Sequence, residues 1–191
     1  MPDPPAMLLI GLYNNIGATY LDLDRQADAS PHLAKAAELA SDWLGPEDPT
    51  TLTILINLAS LQAQLGEPAA AAQVFERVVR ARETLLGPDA FDTLVTRHGL
   101  YTAVLATGDA ARAAESFAAL LDDCRTVLGD HWLTAAAHVS CASALRAQGR
   151  ADEALPHAEA AADLFTRLLG PDHSRTTTAS QMARELRESP P

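Results

Sequence analysis

The 191-residue sequence is poor in aromatic residues and in cysteine. Only 5% of its residues are aromatic, although 48% are hydrophobic and alanine is abundant. A core of this composition must be built from closely approaching helices rather than from large side chains. The two cysteines, Cys124 and Cys141, are too few for a disulfide scaffold or a cysteine-rich zinc site. We therefore expect a reduced, cytoplasmic protein.

Positive charge is also scarce. The formal net charge is −11, and Lys35 is the single lysine among 14 basic residues. A nucleic-acid partner requires a basic patch that can displace counterions from phosphates, so none is expected. We attribute the preference for arginine to genome composition, as in a GC-rich bacterium, and not to chemistry.

No segment combines the length and the apolarity of a membrane span. The stretch 4–21 carries no charge, but Asn14, Asn15 and Thr19 interrupt its apolar residues. No basic residue precedes the stretch, as one would in a signal peptide. We expect no membrane partner.

Motifs that carry catalysis, or that bind a metal or cofactor, are likewise missing from the sequence. His131 and His138 are seven residues apart on one predicted helix, which separates them by roughly 10 Å along the axis, too far for one zinc ion. There is no HExxH motif, nucleophile elbow, P-loop or dinucleotide-binding loop. The sequence therefore predicts no enzyme, no cofactor and no metal site.

What the sequence does contain is a break that recurs at almost constant intervals. Leu-Gly pairs begin at Leu44, Leu86, Leu128 and Leu169, with spacings of 42, 42 and 41 residues. The shorter interval has a visible cause, because "LGDHW" lacks the proline of the other three copies. A fixed period of this length is typical of stacked structural repeats.

A second break divides each repeat into halves. It lies near Asp24, Gly66, Gly108 and Gly149, and an alanine follows five residues later, as Ala29, Ala71, Ala113 and Ala154. Glycine closes a helix in the left-handed conformation, proline cannot continue one, and Asp48 followed by Pro49 can start the next. Each repeat is predicted to contain two helices of roughly 16 to 18 residues. With one C-terminal helix, nine helices and no strand are expected.

This pattern resembles a tetratricopeptide array, in the 42-residue form similar to kinesin light chains and to many bacterial repeat proteins. The resemblance is carried by "YNNIGATYLDL" from Tyr13, the four alanines, and the linkers "LGPEDP" and "LGPDH". It implies an all-α fold, a right-handed α-solenoid of antiparallel helix pairs, with four repeats and a C-terminal capping helix. The repeats cover about residues 4–45, 46–87, 88–129 and 130–170, the cap about 172–188, and residues 1–191 form a single domain.

The resemblance also implies that the first helix of each repeat lines a concave groove that binds a protein or peptide. Alignment of the repeats places ten candidate residues there: Asn14, Asn15, Asn57, Ser60, Gln64, Arg97, His98, Thr102, Ser143 and Arg146. The first two repeats have no cation at these positions, so a carboxylate clamp is not expected. Their half of the groove is predicted to read apolar or amide groups. Any cationic character falls in the second half, on Arg97, His98 and Arg146, where an acidic or aromatic-acidic segment could bind.

Other interpretations of these residues and of the chain stay open at this stage. Asparagine is unfavourable inside a helix, so Asn14, Asn15 and Asn57 either bind a peptide backbone or form bonds within the array. Arg97 and Arg146 either bind a ligand or are solvated. The chain could instead be the sensor part of a larger bacterial signalling NTPase or transcription regulator, or a solenoid that binds a small molecule or acts as an enzyme. The sequence does not identify the partner.

The two terminal helices differ in character. The last is polar around most of its circumference, as a capping helix requires. The first places apolar residues all around its axis, namely Met7, Leu8, Leu9, Ile10, Leu12, Tyr13 and Ile16. Because only one stripe can face the next repeat, we predict that this helix packs on a second copy in a two-fold dimer, or on upstream repeats. The alternative is that residues 7–10 pack on the second helix of their own repeat.

Overall fold

A computed structural model describes residues 4–188, which form nine α-helices and no strand. The helices are α1 (Pro4–Asp22), α2 (Gln26–Leu44), α3 (Pro49–Gln64), α4 (Pro68–Leu86), α5 (Phe91–Ala106), α6 (Ala110–Leu128), α7 (Trp132–Ala147), α8 (Ala151–Leu169) and α9 (Ser174–Glu188). Every predicted break is confirmed to within a few residues. No helix in the described range is both long and apolar enough to cross a membrane.

The helices group into two compact units, residues 1–88 and residues 89–191. In the first unit α1 packs on α2, α2 on α3 and α3 on α4. In the second unit each helix from α5 to α9 packs on the next, and α5 also contacts α7, so that neighbouring first helices meet directly. The predicted all-α architecture of helix pairs is therefore confirmed. That residues 1–191 form one domain remains a prediction.

The helix ends form as the turn chemistry predicts. Gly45 and Gly66 close α2 and α3 with φ angles of 98° and 85°, in the region that favours glycine. Asp24 takes the same role after α1, with φ at 57°, which a short polar side chain tolerates better than most. Asp48 accepts a hydrogen bond of 2.8 Å from the Thr50 amide, and Pro49 opens α3. These ends fix where each first helix begins, and so place the candidate site residues.

Small residues let the paired helices approach closely. The four alanines that follow the breaks are completely buried: Ala29, Ala71, Ala113 and Ala154. In the first pair Gly17 lies so close to Leu33 that a β-carbon at Gly17 would stand 2.6 Å from Leu33 Cγ. The expectation of a core built from helix approach, rather than from large rings, is confirmed.

The two cysteines lie inside the second unit as free thiols. Cys124 on α6 and Cys141 on α7 are both buried. Burial raises the pKa of the Cys124 thiol to about 11 and that of the Cys141 thiol to about 12. Both thiols are therefore protonated at neutral pH, and each acts as a small apolar core side chain.

Candidate functional site

Five of the ten predicted groove residues lie on the first helices of the first unit, α1 and α3. Asn15, Asn57 and Gln64 are exposed, whereas Asn14 and Ser60 are half-buried. The Ser60 hydroxyl donates to the Ile56 carbonyl at 2.9 Å, one helical turn earlier. The Asn14 amide oxygen is buried and has no hydrogen-bond partner, which is uncommon for a buried polar atom. These five side chains carry amide or hydroxyl groups and no charge.

Arg97 is held by its neighbours within the second unit. Its Nη1 atom donates to Asp123 Oδ2 on α6 at 2.8 Å, and its Nε atom donates to the Tyr101 hydroxyl at 3.3 Å. Its side chain is only 16% exposed. Arg97 therefore joins α5 to α6, and its charge is already paired.

His98 connects two neighbouring first helices. Its Nε2 atom lies 3.0 Å from Ser140 Oγ on α7, and its ring lies 5.6 Å from that of Phe117. Burial lowers the pKa of His98 below its ordinary value, which favours the neutral form of the ring. Thr102, one turn along α5, is exposed and donates to the His98 carbonyl at 2.8 Å. The lowered pKa works against a positive charge on His98 at this face.

Arg146 is the more accessible of the two predicted groove arginines. It forms an ion pair of 3.3 Å with Glu185 on α9, and both side chains are about half exposed. Such pairs contribute little to stability, since water solvates both charges well. Ser143, one turn earlier on α7, is half-buried. Arg146 could therefore exchange Glu185 for a ligand carboxylate at small cost.

A cavity of about 350 Å³ in the second unit was not among the sequence predictions. Apolar walls come from Trp132, Ala136, Val139 and Phe165. Polar groups come from His98, Ser140, Ser174, Arg175 and Thr178. The first helices α5, α7 and α9 supply eight of these nine residues, and α8 supplies Phe165. The cavity therefore opens among first helices, on the face for which the alignment predicts ligand binding.

Arg175 and Trp132 form one side of this cavity. The Arg175 guanidinium lies over the Trp132 ring, 5.4 Å from its centroid, in the geometry of a cation–π contact. Arg175 is exposed, and no ion pair joins it to another of residues 4–188. The sequence predicts only a capping role for α9. Trp132 begins α7 and Arg175 lies in the first turn of α9, so the contact joins the starts of two successive first helices.

The histidines that suggested a metal hypothesis occupy separate positions. His131 accepts a hydrogen bond of 3.2 Å from the Leu133 amide and so caps α7. His138 is buried farther along α7, with its Nδ1 atom 3.2 Å from His157 Nδ1 on α8. Among the described residues no group of three His, Cys, Asp or Glu side chains could hold a metal ion.

Comparison with known proteins agrees with this architecture. A family model described as Tetratricopeptide repeat matches residues 8–84 and 133–189, more than half of the chain. Among solved structures, the chain is similar to the nearly identical TPR-like repeats of a Podosopora anserina protein assigned as a kinesin light chain. That match has a TM-score of 0.80 and 20% identity, and it covers 97% of this chain and 87% of the other.

Two further structures share the fold. BtubC (BKLC) from P. vanneervenii matches with a TM-score of 0.70 and 17% identity, over 97% of this chain and 67% of the other. A Rap protein complexed with Competence and Sporulation Factor matches with a TM-score of 0.78 and 13% identity, over 95% of this chain and 48% of the other. At these identities the likeness concerns the fold alone. No curated protein matches the chain.

Proposed function

Because the chain belongs to the tetratricopeptide repeat family, whose fold serves as a scaffold for protein interactions, we propose that it is a non-enzymatic module that binds a peptide or a partner protein. The observation that carries this proposal is the cavity among the first helices of the second unit. There, apolar walls meet Arg175, a cation that no carboxylate of residues 4–188 pairs. A Rap protein of the same fold is complexed with Competence and Sporulation Factor, which supports a ligand-binding role for this architecture.

The cavity suits one large apolar side chain of the ligand. Its volume of about 350 Å³ lies at the small end of ligand sites, which suits a single anchoring group. Val139 and Trp132 would contact that group, and Phe165 closes the cavity from beneath, since its own side chain is buried. The Ser140, Ser174 and Thr178 hydroxyls could bond to the peptide backbone beside it.

Arg175 gives the proposed ligand its charge preference. A ligand carboxylate next to the anchoring side chain would meet the guanidinium and displace no existing ion pair. Arg146, on the same first-helix face of the second unit, offers a second cation through its solvated pair with Glu185. The ligand proposed for this unit is thus an acidic peptide segment that carries a bulky apolar residue.

The first unit presents a different surface. Asn14, Asn15, Asn57, Ser60 and Gln64 remain our proposed contacts there. These five side chains carry amide or hydroxyl groups and no charge. This surface favours hydrogen bonds to a peptide backbone over charge recognition.

We also propose a cytoplasmic location in a bacterium for this module. Both cysteines are free and buried, as is common in a reducing compartment.

Selection from a phage-displayed library of random peptides would test the proposed ligand class. We expect enrichment of peptides in which Asp or Glu neighbours a large apolar residue. Trp132→Ala and Arg175→Gln should each weaken binding of a selected peptide by about tenfold or more. Arg184→Gln is the matched control, because Arg184 is an exposed arginine farther along α9.

Two of the aligned groove residues are tested with the same peptide. Asn14→Ala and Arg146→Ala should weaken binding while leaving the melting temperature nearly unchanged. If binding survives at Trp132→Ala and Arg175→Gln, the cavity is not the ligand site. If Asn14→Ala and Arg146→Ala lower the melting temperature but not the affinity, those two residues are structural.

A further inference from the structure

The outward face of α1 is apolar and uncovered. The exposed fractions of Met7, Leu8, Leu9 and Leu12 are 43%, 73%, 44% and 50%. Ile10 is buried among residues of the first unit's core, as the alternative of packing within the repeat predicts. That packing accounts for one stripe of α1 only. Apolar patches of this kind, when not covered, mark interaction surfaces.

Comparison with the other first helices shows what such a face normally contacts. By repeat alignment Leu9 corresponds to Thr51, Thr134 and Thr176, and all three threonines are almost completely buried. These residues lie on α3, α7 and α9, each of which packs on the helix that precedes it. Thr134 and Thr176 even donate hydrogen bonds to the carbonyls of the preceding breaks, at 2.9 and 2.8 Å.

A second aligned position, that of Leu12, gives the same result. Leu12 corresponds to Ile54, Ala137 and Ala179, which are also buried on the same three helices. On α1 both positions carry leucine, and both are about half exposed. Leu9 and Leu12 therefore occupy positions that, in the other repeats, are buried in a helix–helix contact. At the first of these positions α1 has an apolar leucine in place of the threonines, two of which bond to the preceding turn.

The charge distribution selects the partner of this face. A head-to-tail contact between copies would bring α1 against α9, where Arg184, Glu185 and Arg187 are exposed. Burying those charges against leucines would be costly. By contrast, α1 has no charged residue from Pro4 to Leu21, in a chain of net charge −11. Two acidic copies can therefore approach through α1 with the least repulsion.

We propose that two copies of the chain associate through α1 in a two-fold contact centred on Leu9 and Leu12. These two residues are one helical turn apart and form a continuous stripe. In a two-fold contact the same patch is used on both copies, so a self-complementary apolar stripe suffices. The proposed contact uses residues of α1, whereas the residues that line the proposed ligand cavity belong to α5, α7, α8 and α9.

Light scattering coupled to size-exclusion chromatography, at a protein concentration of about 50 µM, tests the proposal. The expected mass is twice the 20.2 kDa of one chain. Leu9→Glu combined with Leu12→Glu should reduce it to one chain without loss of helical circular dichroism, because both side chains are exposed in the single chain. Leu168→Glu combined with Leu169→Glu, at similarly exposed positions on α8, is the control and should leave the dimer intact.

Three results would overturn the proposal: a wild-type mass of 20.2 kDa at this concentration, an open series of larger assemblies, or a dimer that survives the α1 pair of substitutions. Peptide binding is tested by substitutions in the second unit of the full chain. If the chain does not dimerise, the proposed peptide-binding function is unaffected.

Discussion

His138 on α7 and His157 on α8 face each other, with their Nδ1 atoms 3.2 Å apart. On the other side of the same ring, His138 Nε2 lies 3.2 Å from an Arg125 amino nitrogen. A guanidinium can only donate, so Nε2 of His138 accepts and its proton resides on Nδ1. His138 then donates to His157, whose own proton must reside on Nε2. This chain of bonds joins α6, α7 and α8, and it requires both rings to be neutral.

Acid should therefore destabilise the second unit. Burial, with Arg125 and His157 adding to it, lowers the pKa of His138 to about 4 from an ordinary value of 6.5. Between those values the unfolded chain binds a proton that the folded chain does not, so the free energy of unfolding falls as pH falls from 6.5 towards 4. The loss amounts to at most about 3 kcal/mol for this residue. Chemical denaturation at a series of pH values measures it.

The control for the pH series is His138→Gln, which removes the titrating ring and retains a polar side chain. We expect a less stable protein at pH 7 but a flatter profile between pH 6.5 and 4 than in the wild type. An equally steep profile in His138→Gln would assign the acid sensitivity to other groups.

Two glycines of α1 should respond in opposite directions to the same substitution. A methyl group at Gly17 would stand 2.6 Å from Leu33 Cγ, and Leu33 is buried and cannot move aside freely. We expect Gly17→Ala to destabilise the first unit by about 1 to 3 kcal/mol, as overpacked cores do. At Gly11 nothing lies within 4 Å of the added methyl, so Gly11→Ala should stabilise the helix by about 0.5 to 1 kcal/mol. Equal stabilities for the two variants in urea would show that α1 and α2 are not packed this closely.

The repeated threonines offer a second matched pair. Thr134 Oγ1 donates to the Gly129 carbonyl at 2.9 Å, whereas Thr51 Oγ1 is buried without a partner. Thr134→Val should cost about 1 kcal/mol because it leaves a carbonyl unpaired, and Thr51→Val should be neutral or slightly stabilising. Thermal unfolding of both variants gives the comparison. A larger loss at Thr51 than at Thr134 would contradict the hydrogen-bond assignment.

The fold could be predicted from the sequence because its signals are local. Each break depends on a glycine, a proline or a capping residue that acts within a few positions, as at Gly66, Asp24 and Asp48. The buried alanines recur in phase with these breaks, and repetition across four copies removed the ambiguity of any single one. Such features need no knowledge of which side chains meet across helices.

For the candidate site, the sequence could predict the helix on which each residue lies but not the partner of its side chain. Alignment places Arg97 on the predicted ligand face, but its side chain turns to Asp123, 26 residues away on α6. A long side chain can choose among several partners, and local pattern does not reveal which. The contact of Arg175 with Trp132 was missed for the same reason, since it depends on the packing of α7 beside α9.

The arginines of the proposed ligand face should therefore separate into a structural and a binding class. Arg97 is mostly buried and holds both Asp123 and Tyr101, so Arg97→Ala should lower the free energy of unfolding by about 1 to 2 kcal/mol. Arg146 is about half exposed, as is its partner Glu185, so Arg146→Ala should cost well under about 1 kcal/mol. Affinity for a selected acidic peptide should change in the opposite order, falling for Arg146→Ala and staying near the wild-type value for Arg97→Ala. Urea denaturation and calorimetric titration of both variants measure the two quantities. If Arg97→Ala abolished binding while the fold kept its stability, its pair with Asp123 would not be the structural link inferred from these contacts.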